Sequence, residues 1–110
     1  MTIQVKKTYR GLNPEMLYDV VRDLAGKRGI NATQASMQTY SLSSGATQSR
    51  VTVPLQTTEG RECGSLQILG TANGDARMAL EIDDTLVPAD TIRTLQDDIE
   101  FMLGSYDVKW

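Results

Sequence analysis

Alternating apolar and polar positions predict five β-strands along the chain. Every second residue is apolar over most of residues 2–9, and the same alternation returns over residues 47–56, 61–71 and 76–83. A period of two places one row of side chains on a buried face and the other row in water. Residues 33–42 are richer in Ala, Thr, Gln and Ser, so we predict a weaker strand there, at a sheet edge where polar strands are tolerated.

Two stretches change to the helical spacing of three and four residues. Asn13, Pro14 and Glu15 suit an N-cap, a first helical position and an acidic first turn, and they predict where the first helix begins. Its apolar stripe consists of Leu17, Val20, Val21 and Leu24. A second helix is predicted from about Pro88 to Gly104, because apolar residues recur there at helical spacing. They are Ile92, Leu95, Ile99, Met102 and Tyr106.

Glycine, proline and asparagine residues mark the turns and irregular points of the predicted sheet. Asn73-Gly74 is typical of a two-residue hairpin loop, because both central positions of a type I′ turn need a positive φ. Pro54 lacks an amide donor, so we expect a sheet edge, a bulge or a strand end at its position. Gly64 and Gly70 suggest a bulge or a bend in the strand that carries them.

The predicted elements follow one another in the order β-α-β-β-β-β-α. Four consecutive strands joined by short turns form an antiparallel meander, and each helix has a single apolar stripe. The economical packing is a two-layer α+β sandwich, with both helices on one face of a five-stranded antiparallel sheet. The first strand would pair with the last, which gives the spatial order 2-3-4-5-1 and places the polar second strand at an edge. We expect residues 1–110 to form a single domain.

This element order resembles two known architectures, the repeat of TATA-binding-protein-like folds and a shortened helix-grip, or START-like, ligand-binding domain. The resemblance covers the whole chain as element order, and no sequence motif of either family accompanies it. It therefore implies a fold, and it transfers no functional residue to this chain.

Composition indicates the cellular location expected for the protein, but it does not indicate a function. The chain has 110 residues, a net charge of −3 and one cysteine, Cys63. A mildly acidic chain has no general attraction for nucleic acid or for an anionic membrane. No apolar run has the length of a signal peptide or a membrane span, and a lone cysteine suits a reducing compartment. We therefore expect a cytoplasmic protein without membrane contact.

Residues that usually carry catalysis are few. The chain has no histidine, which removes the commonest general base, the Ser-His-Asp and Cys-His arrangements, and the commonest ligand of transition metals. Nothing in the sequence around Cys63 indicates an activated thiolate, so we interpret it as a semi-buried strand residue. We expect no enzyme activity and no cofactor.

Two acidic clusters have ordinary structural interpretations. Asp83-Asp84 ends a strand ahead of a helix, and Asp97-Asp98-Glu100 falls on the solvent side of the second helix. There, Arg93 can pair with Asp97 at i,i+4. Neither cluster has the spacing of a calcium loop, so we expect no metal site.

Two groups of residues are candidates for contacts with other molecules. An open sheet face would expose polar and basic side chains, of which the candidates are Lys6, Arg50, Gln67 and Arg77. The same parity has almost no aromatic side chain for base stacking, which disfavours nucleic acid. A pocket between the sheet and the second helix would be lined by Tyr40, Met78, Met102 and Tyr106, although an ordinary core is the favoured interpretation.

The function expected from these features is a non-catalytic binding or assembly module that acts through protein–protein contacts, as a homodimer. The polar edge strand and the terminal Trp110 are the segments expected to pair with a second copy or another protein. Two alternatives stay open. One is a binder of a small apolar ligand in the pocket under the second helix, and the other is a nucleic-acid binder that uses the open sheet face.

Overall fold

A computed structural model describes residues 2–41, 43, 45, 47–70 and 74–106 of the protein. Leu42, Asn73 and Trp110, which enter the predictions from sequence, lie outside the described residues. In chain order the elements are β1 (Thr2–Arg10), α1 (Pro14–Lys27), β2 (Ile30–Ala32), β3 (Ser36–Ser41), β4 (Thr47–Thr57), β5 (Glu62–Gly70), β6 (Asp75–Asp83), α2 (Ala89–Leu103) and a 3-10 turn (Gly104–Tyr106).

All strand pairs of the sheet are antiparallel. The spatial order is β1-β6-β5-β4, and both β2 and β3 pair with the far side of β4. β1 and β6 are matched over their whole length, from Thr2 opposite Asp83 to Arg10 opposite Asp75. This confirms the predicted arrangement, in which the first strand lies beside the last and the polar second strand lies at an edge. The sheet is open, so β1 forms one edge and the β2–β3 line forms the other.

Both helices lie on one face of the sheet. α1 packs over β2, β4 and β5 and also contacts α2. Buried side chains from both helices and from the apolar parity of the strands form one cluster, which includes Leu17, Val21, Val53, Leu66, Leu80, Leu95 and Ile99. Removing these stripes from water stabilises the layers by roughly 25 cal/mol for each Å² of apolar surface. The predicted two-layer α+β sandwich is confirmed.

The second predicted strand is interrupted, which corrects its predicted course over residues 33–42. β2 ends at Ala32 and β3 resumes at Ser36, both paired with β4. Between them, the N–H and the hydroxyl of Thr33 each donate to the carbonyl of Pro54 at 3.0 Å. The backbone of Pro54 therefore faces the edge strand. Because Pro54 has no N–H to donate in return, the ladder breaks opposite it.

Two predicted irregular points are present in the structure. The register between β4 and β5 shifts beside Gly64, where Cys63 is the additional residue of β5, so the predicted bulge is confirmed. At the start of β6, Gly74 has a φ of 86°. This left-handed conformation is the one that the predicted hairpin loop requires of its glycine.

The first helix begins where the sequence predicts, and the second begins one residue later. The side chain of Asn13 caps α1 by accepting a hydrogen bond from the N–H of Met16 at 2.8 Å. Pro88 is the N-cap residue of α2 instead of its first helical residue. Within the described part of the chain, neither helix combines the length and the apolar character needed to cross a membrane.

Candidate functional site

Strand β3, which forms half of one sheet edge, is exposed along its whole length. All its residues from Ser36 to Ser41 are exposed, although each of them is paired with β4. Met37 lies opposite the buried Val51 and so projects towards the helix layer, whereas Tyr40 projects to the other face. Their exposed fractions are 52% and 41%. A strand that is exposed on both faces and along one edge presents most of its surface for contact.

The backbone of β3 presents hydrogen-bonding groups outwards at every second residue. Since the carbonyl of Pro54 faces the edge strand, alternation along β4 turns the peptide groups of Arg50 and Thr52 the same way. Their partners Gln38 and Ser36 are therefore bonded to β4, and by the same alternation so is Tyr40. The outward N–H and C=O groups belong to the residues in between, Met37, Thr39 and Ser41.

The two edges of the sheet differ in charge. β1 carries Lys6, Lys7 and Arg10, whereas β3 contains only Ser, Met, Gln, Thr and Tyr residues. Charged residues, and lysine above all, hinder an edge strand from pairing with another chain, because a partner strand would have to displace the water around them. β1 is thus a protected edge, and residues 36–41, which we call the β3 edge, are unprotected.

Open space separates the start of α1 from the β3 edge. α1 begins at Pro14, whose ring lies against Gly70 at the end of β5. An open cleft of about 240 Å³ lies between the start of α1 and β3, and it is lined by Asn13, Pro14, Glu15, Met37 and Ser49. On the helix side, Met37 of β3 therefore borders open space.

On the opposite face, the open side of the sheet brings the four predicted contact residues into two neighbouring rows. One row consists of Lys6, Ala79, Gln67 and Thr52, and the next consists of Thr8, Arg77, Leu69 and Arg50. Arg50 and Arg77 are two strands apart, about 10 Å, on either side of Leu69. We call Lys6, Arg50 and Arg77 the basic patch. All three are exposed, and none has a hydrogen bond or ion pair within the described residues.

Carboxylates near the basic patch have local partners. Glu81 accepts a hydrogen bond from the side-chain amide of Gln4 at 2.7 Å. At the end of β6, Asp83 accepts bonds from the hydroxyl and the N–H of Thr85 at 2.7 and 2.9 Å. These two bonds lower the pKa of Asp83. Glu81 and Asp83 thus bond to neutral groups of nearby residues, and neither forms an ion pair with the basic patch in the described part of the chain.

The four predicted pocket residues lie in different places. Met78 is buried in the core, whereas Met102 and Tyr106 are exposed on α2 and on the 3-10 turn that follows it. Tyr40 lies on the face away from the helices, where its hydroxyl donates to Oε1 of Gln38. α2 buries its own stripe, Ile92, Leu95, Ile99 and Leu103, and an open cleft of about 480 Å³ lies between α2 and β1, lined by none of the four predicted residues. The structure does not bring these four residues to a common pocket.

Cys63 is more deeply buried than expected from sequence. It is only 1% exposed, at the bulge in β5. Burial raises the pKa of the Cys63 thiol, with smaller contributions in the same direction from Asp83 and Glu62. The thiol is therefore protonated at neutral pH and has the character of a core side chain.

The acidic residues of α2 are divided between different partners. The guanidinium of Arg93 lies 3.9 Å from the carboxylate of Asp90, which corrects the predicted pair with Asp97. Asp90 precedes Arg93 in the helix, and an acid on the N-terminal side of its basic partner is the favoured order. Asp98 is 2.8 Å from Arg28, which follows α1. Among the described residues, no three Asp, Glu, Cys or His side chains converge as a metal site would need.

The contrast between the two edges is the feature that sequence reasoning missed. The absence of charge from residues 36–41 is visible in the sequence. The predicted order 2-3-4-5-1 already places the lysine-bearing first strand at the other edge, so the contrast could have been found from the sequence. No protein family, curated protein or solved structure matches this chain. The assignment of a function therefore depends on the geometry of the β3 edge and of the open sheet face.

Proposed function

We propose that the protein is a non-catalytic assembly module that binds a protein partner by strand addition at the β3 edge. The observation that carries the proposal is a strand exposed on every residue, uncharged, and open along one side of the sheet. In strand addition, an extended segment of the partner continues the ladder with main-chain hydrogen bonds. The outward peptide groups of Met37, Thr39 and Ser41 are the donors and acceptors available for it.

Side chains of β3 add to the backbone contribution. Each new backbone hydrogen bond contributes a net ~0.5–1.5 kcal/mol. Met37 on one face and Tyr40 on the other expose about half and two-fifths of their surfaces, and a partner strand would cover part of each. Apolar burial on both faces, together with the backbone bonds, favours a partner strand over water.

The proposal involves no catalytic step. The chain has no histidine, and the thiol of Cys63 is held in its protonated form by burial. A protein that acts by contact needs neither group, because affinity in strand addition comes from the backbone and from alternate side chains.

Amide hydrogen exchange tests strand addition directly. We expect the outward amides of Met37, Thr39 and Ser41 to exchange rapidly in dilute protein and to become protected when a partner or a second copy is bound. The amides of Gln38 and Tyr40, which face β4, should be slow in both states and serve as internal controls. Partner binding that leaves the three outward amides unprotected would show that the contact lies elsewhere.

The basic patch supports a second candidate function, binding of single-stranded nucleic acid on the open face. Lys6, Arg50 and Arg77 are exposed and have no partner in the described part of the chain, and Tyr40 gives this face an aromatic ring. With three phosphate contacts, the logarithm of the binding constant should fall with the logarithm of salt concentration with a slope of about −2. A titration with oligothymidine at low salt that shows no binding removes this candidate.

A further inference from the structure

From the geometry of the β3 edge we infer that its partner is a second copy of this chain, paired antiparallel about Thr39. The inference rests on the proposed function and names the occupant of the same site. A two-fold axis through an edge strand pairs each residue with one from the other copy, so the strand has to be compatible with its own reversed sequence.

The outward peptide groups of β3 permit a self-complementary register. With the axis at Thr39, the two copies of Thr39 face each other, and Met37 of each copy faces Ser41 of the other. Every residue in these pairs has its N–H and C=O pointing outwards, so each pair forms two backbone bonds. The register therefore uses all three outward-facing residues of the described strand.

Side chains in this register are mutually compatible on both faces. Thr39 pairs with Thr39 on the helix side, a cross-strand combination that stabilises antiparallel pairs. On the open side, Gln38 of one copy lies opposite Tyr40 of the other. No charged residue occurs in β3, so the register places no like charges together.

At the β1 edge, every register that pairs three successive outward residues, as the β3 register does, includes Lys6. Pairing two copies of β1 about Lys6 would place the two ammonium groups directly opposite each other, which destabilises a strand pair. Pairing about Val5 avoids that repulsion but still covers Lys6 and Lys7 of both copies. The β3 edge is thus the better surface for a second copy.

The surroundings of β3 leave room for the second copy. The cleft beside Met37 is open, and α1 packs over β2, β4 and β5. Two six-stranded sheets would then join into one, with both helix layers on the same side. An interface built on one short strand is small, so the dimer should be weak and depend on protein concentration.

Disulfide trapping tests both the occupant and the register. In a hydrogen-bonded antiparallel pair the two Cα atoms are about 5.5 Å apart, within the range that a disulfide spans. The variant Thr39→Cys is made in a Cys63→Ala background, so that residue 39 carries the single thiol. We expect it to form a disulfide-linked dimer when it is incubated with oxidised glutathione at high protein concentration. Ser36→Cys is the matched control, because the two copies of residue 36 would be about 20 Å apart.

Outcomes of this experiment separate the inference from the proposed function. Cross-linking of Thr39→Cys alone supports the two-fold register. Equal cross-linking of both cysteine variants, or a dimer that neither variant traps, overturns it. If the chain stays monomeric while another protein protects the amides of Met37, Thr39 and Ser41, the second copy is wrong and strand addition stands. If the chain dimerises while those three amides stay unprotected, both are wrong.

Discussion

Pro14 lies so close to Gly70 that a Cβ on the glycine would overlap Cγ of the proline and stand 3.2 Å from its Cδ. This contact seats the first turn of α1 on the end of β5. α1 begins at Pro14, and its main contacts with the sheet are with β2, β4 and β5. The close approach of one proline and one glycine thus holds the start of α1 against the end of β5.

Gly70→Ala should destabilise the protein by about 1–3 kcal/mol, because the new methyl group forces the start of α1 away from the sheet. In a Pro14→Ala background most of this cost should disappear, since the overlapping ring is gone. Urea unfolding of the two single variants, the double variant and the wild type measures the coupling. Additive free energies would mean that the proline ring and the glycine do not constrain each other.

A second glycine tests the bulge in β5. A Cβ at Gly64 would overlap the carbonyl oxygen of Glu81, a backbone atom that cannot move without disturbing β6. We expect Gly64→Ala to lower the free energy of unfolding by at least about 3 kcal/mol. Gly26→Ala in α1 is the control, because open space surrounds that position, and it should stabilise the protein by about 0.5–1 kcal/mol. A mild effect at Gly64 would contradict the close approach of β5 and β6.

The hydrogen bonds in the turn after β6 make the stability of the protein depend on pH. Hydrogen bonds from Thr85 lower the pKa of Asp83 below its ordinary value of 3.8. A carboxylate with a lowered pKa in the folded state contributes stability above its unfolded pKa, and this contribution is lost as the pH falls through the folded value. Thr85→Val should raise the pKa of Asp83 towards 3.8, since the backbone bond remains but the hydroxyl bond is lost. An NMR titration of the side-chain carboxyl carbon measures it, and an unchanged pKa would show that the hydroxyl has no influence.

Local periodicity was enough to predict most of the fold. The apolar stripes in the sequence predict the two helices. The alternating strands predict the pairing of the first and last strands and the edge position of the polar strand. The break in that strand does not. Whether Pro54 disturbs β5 or the edge strand depends on which neighbour its backbone faces, and that direction is set by the register of the whole sheet.

The candidate site was predicted less completely, for a similar reason. Strand parity alone places four of the predicted residues on one face of the sheet: Lys6, Arg50, Gln67 and Arg77. Tyr40, by contrast, is predicted from the sequence to lie under α2, and the structure places it on the face of the sheet away from the helices. The two bulky residues of β3, Met37 and Tyr40, have opposite parities, so the sequence does not indicate which face of this strand is turned towards the core.

The central claim, self-association through the β3 edge, is tested most directly by one substitution made at both edges. The N–H of Gly11 donates to the carbonyl of Gly74 at 3.2 Å, so by alternation the N–H of Thr8 in β1 points outwards, as does that of Thr39 in β3. Proline at either position removes an outward N–H without breaking the sheet of the protein itself.

Sedimentation over a range of protein concentrations decides between the edges, with three proteins compared: Thr39→Pro, Thr8→Pro and the wild type. Circular dichroism confirms that each of them is folded. The account predicts that the wild type and Thr8→Pro associate alike as concentration rises and that Thr39→Pro stays monomeric. Association of Thr39→Pro as strong as that of the wild type, or a wild type that is monomeric throughout, would contradict assembly of this chain through β3.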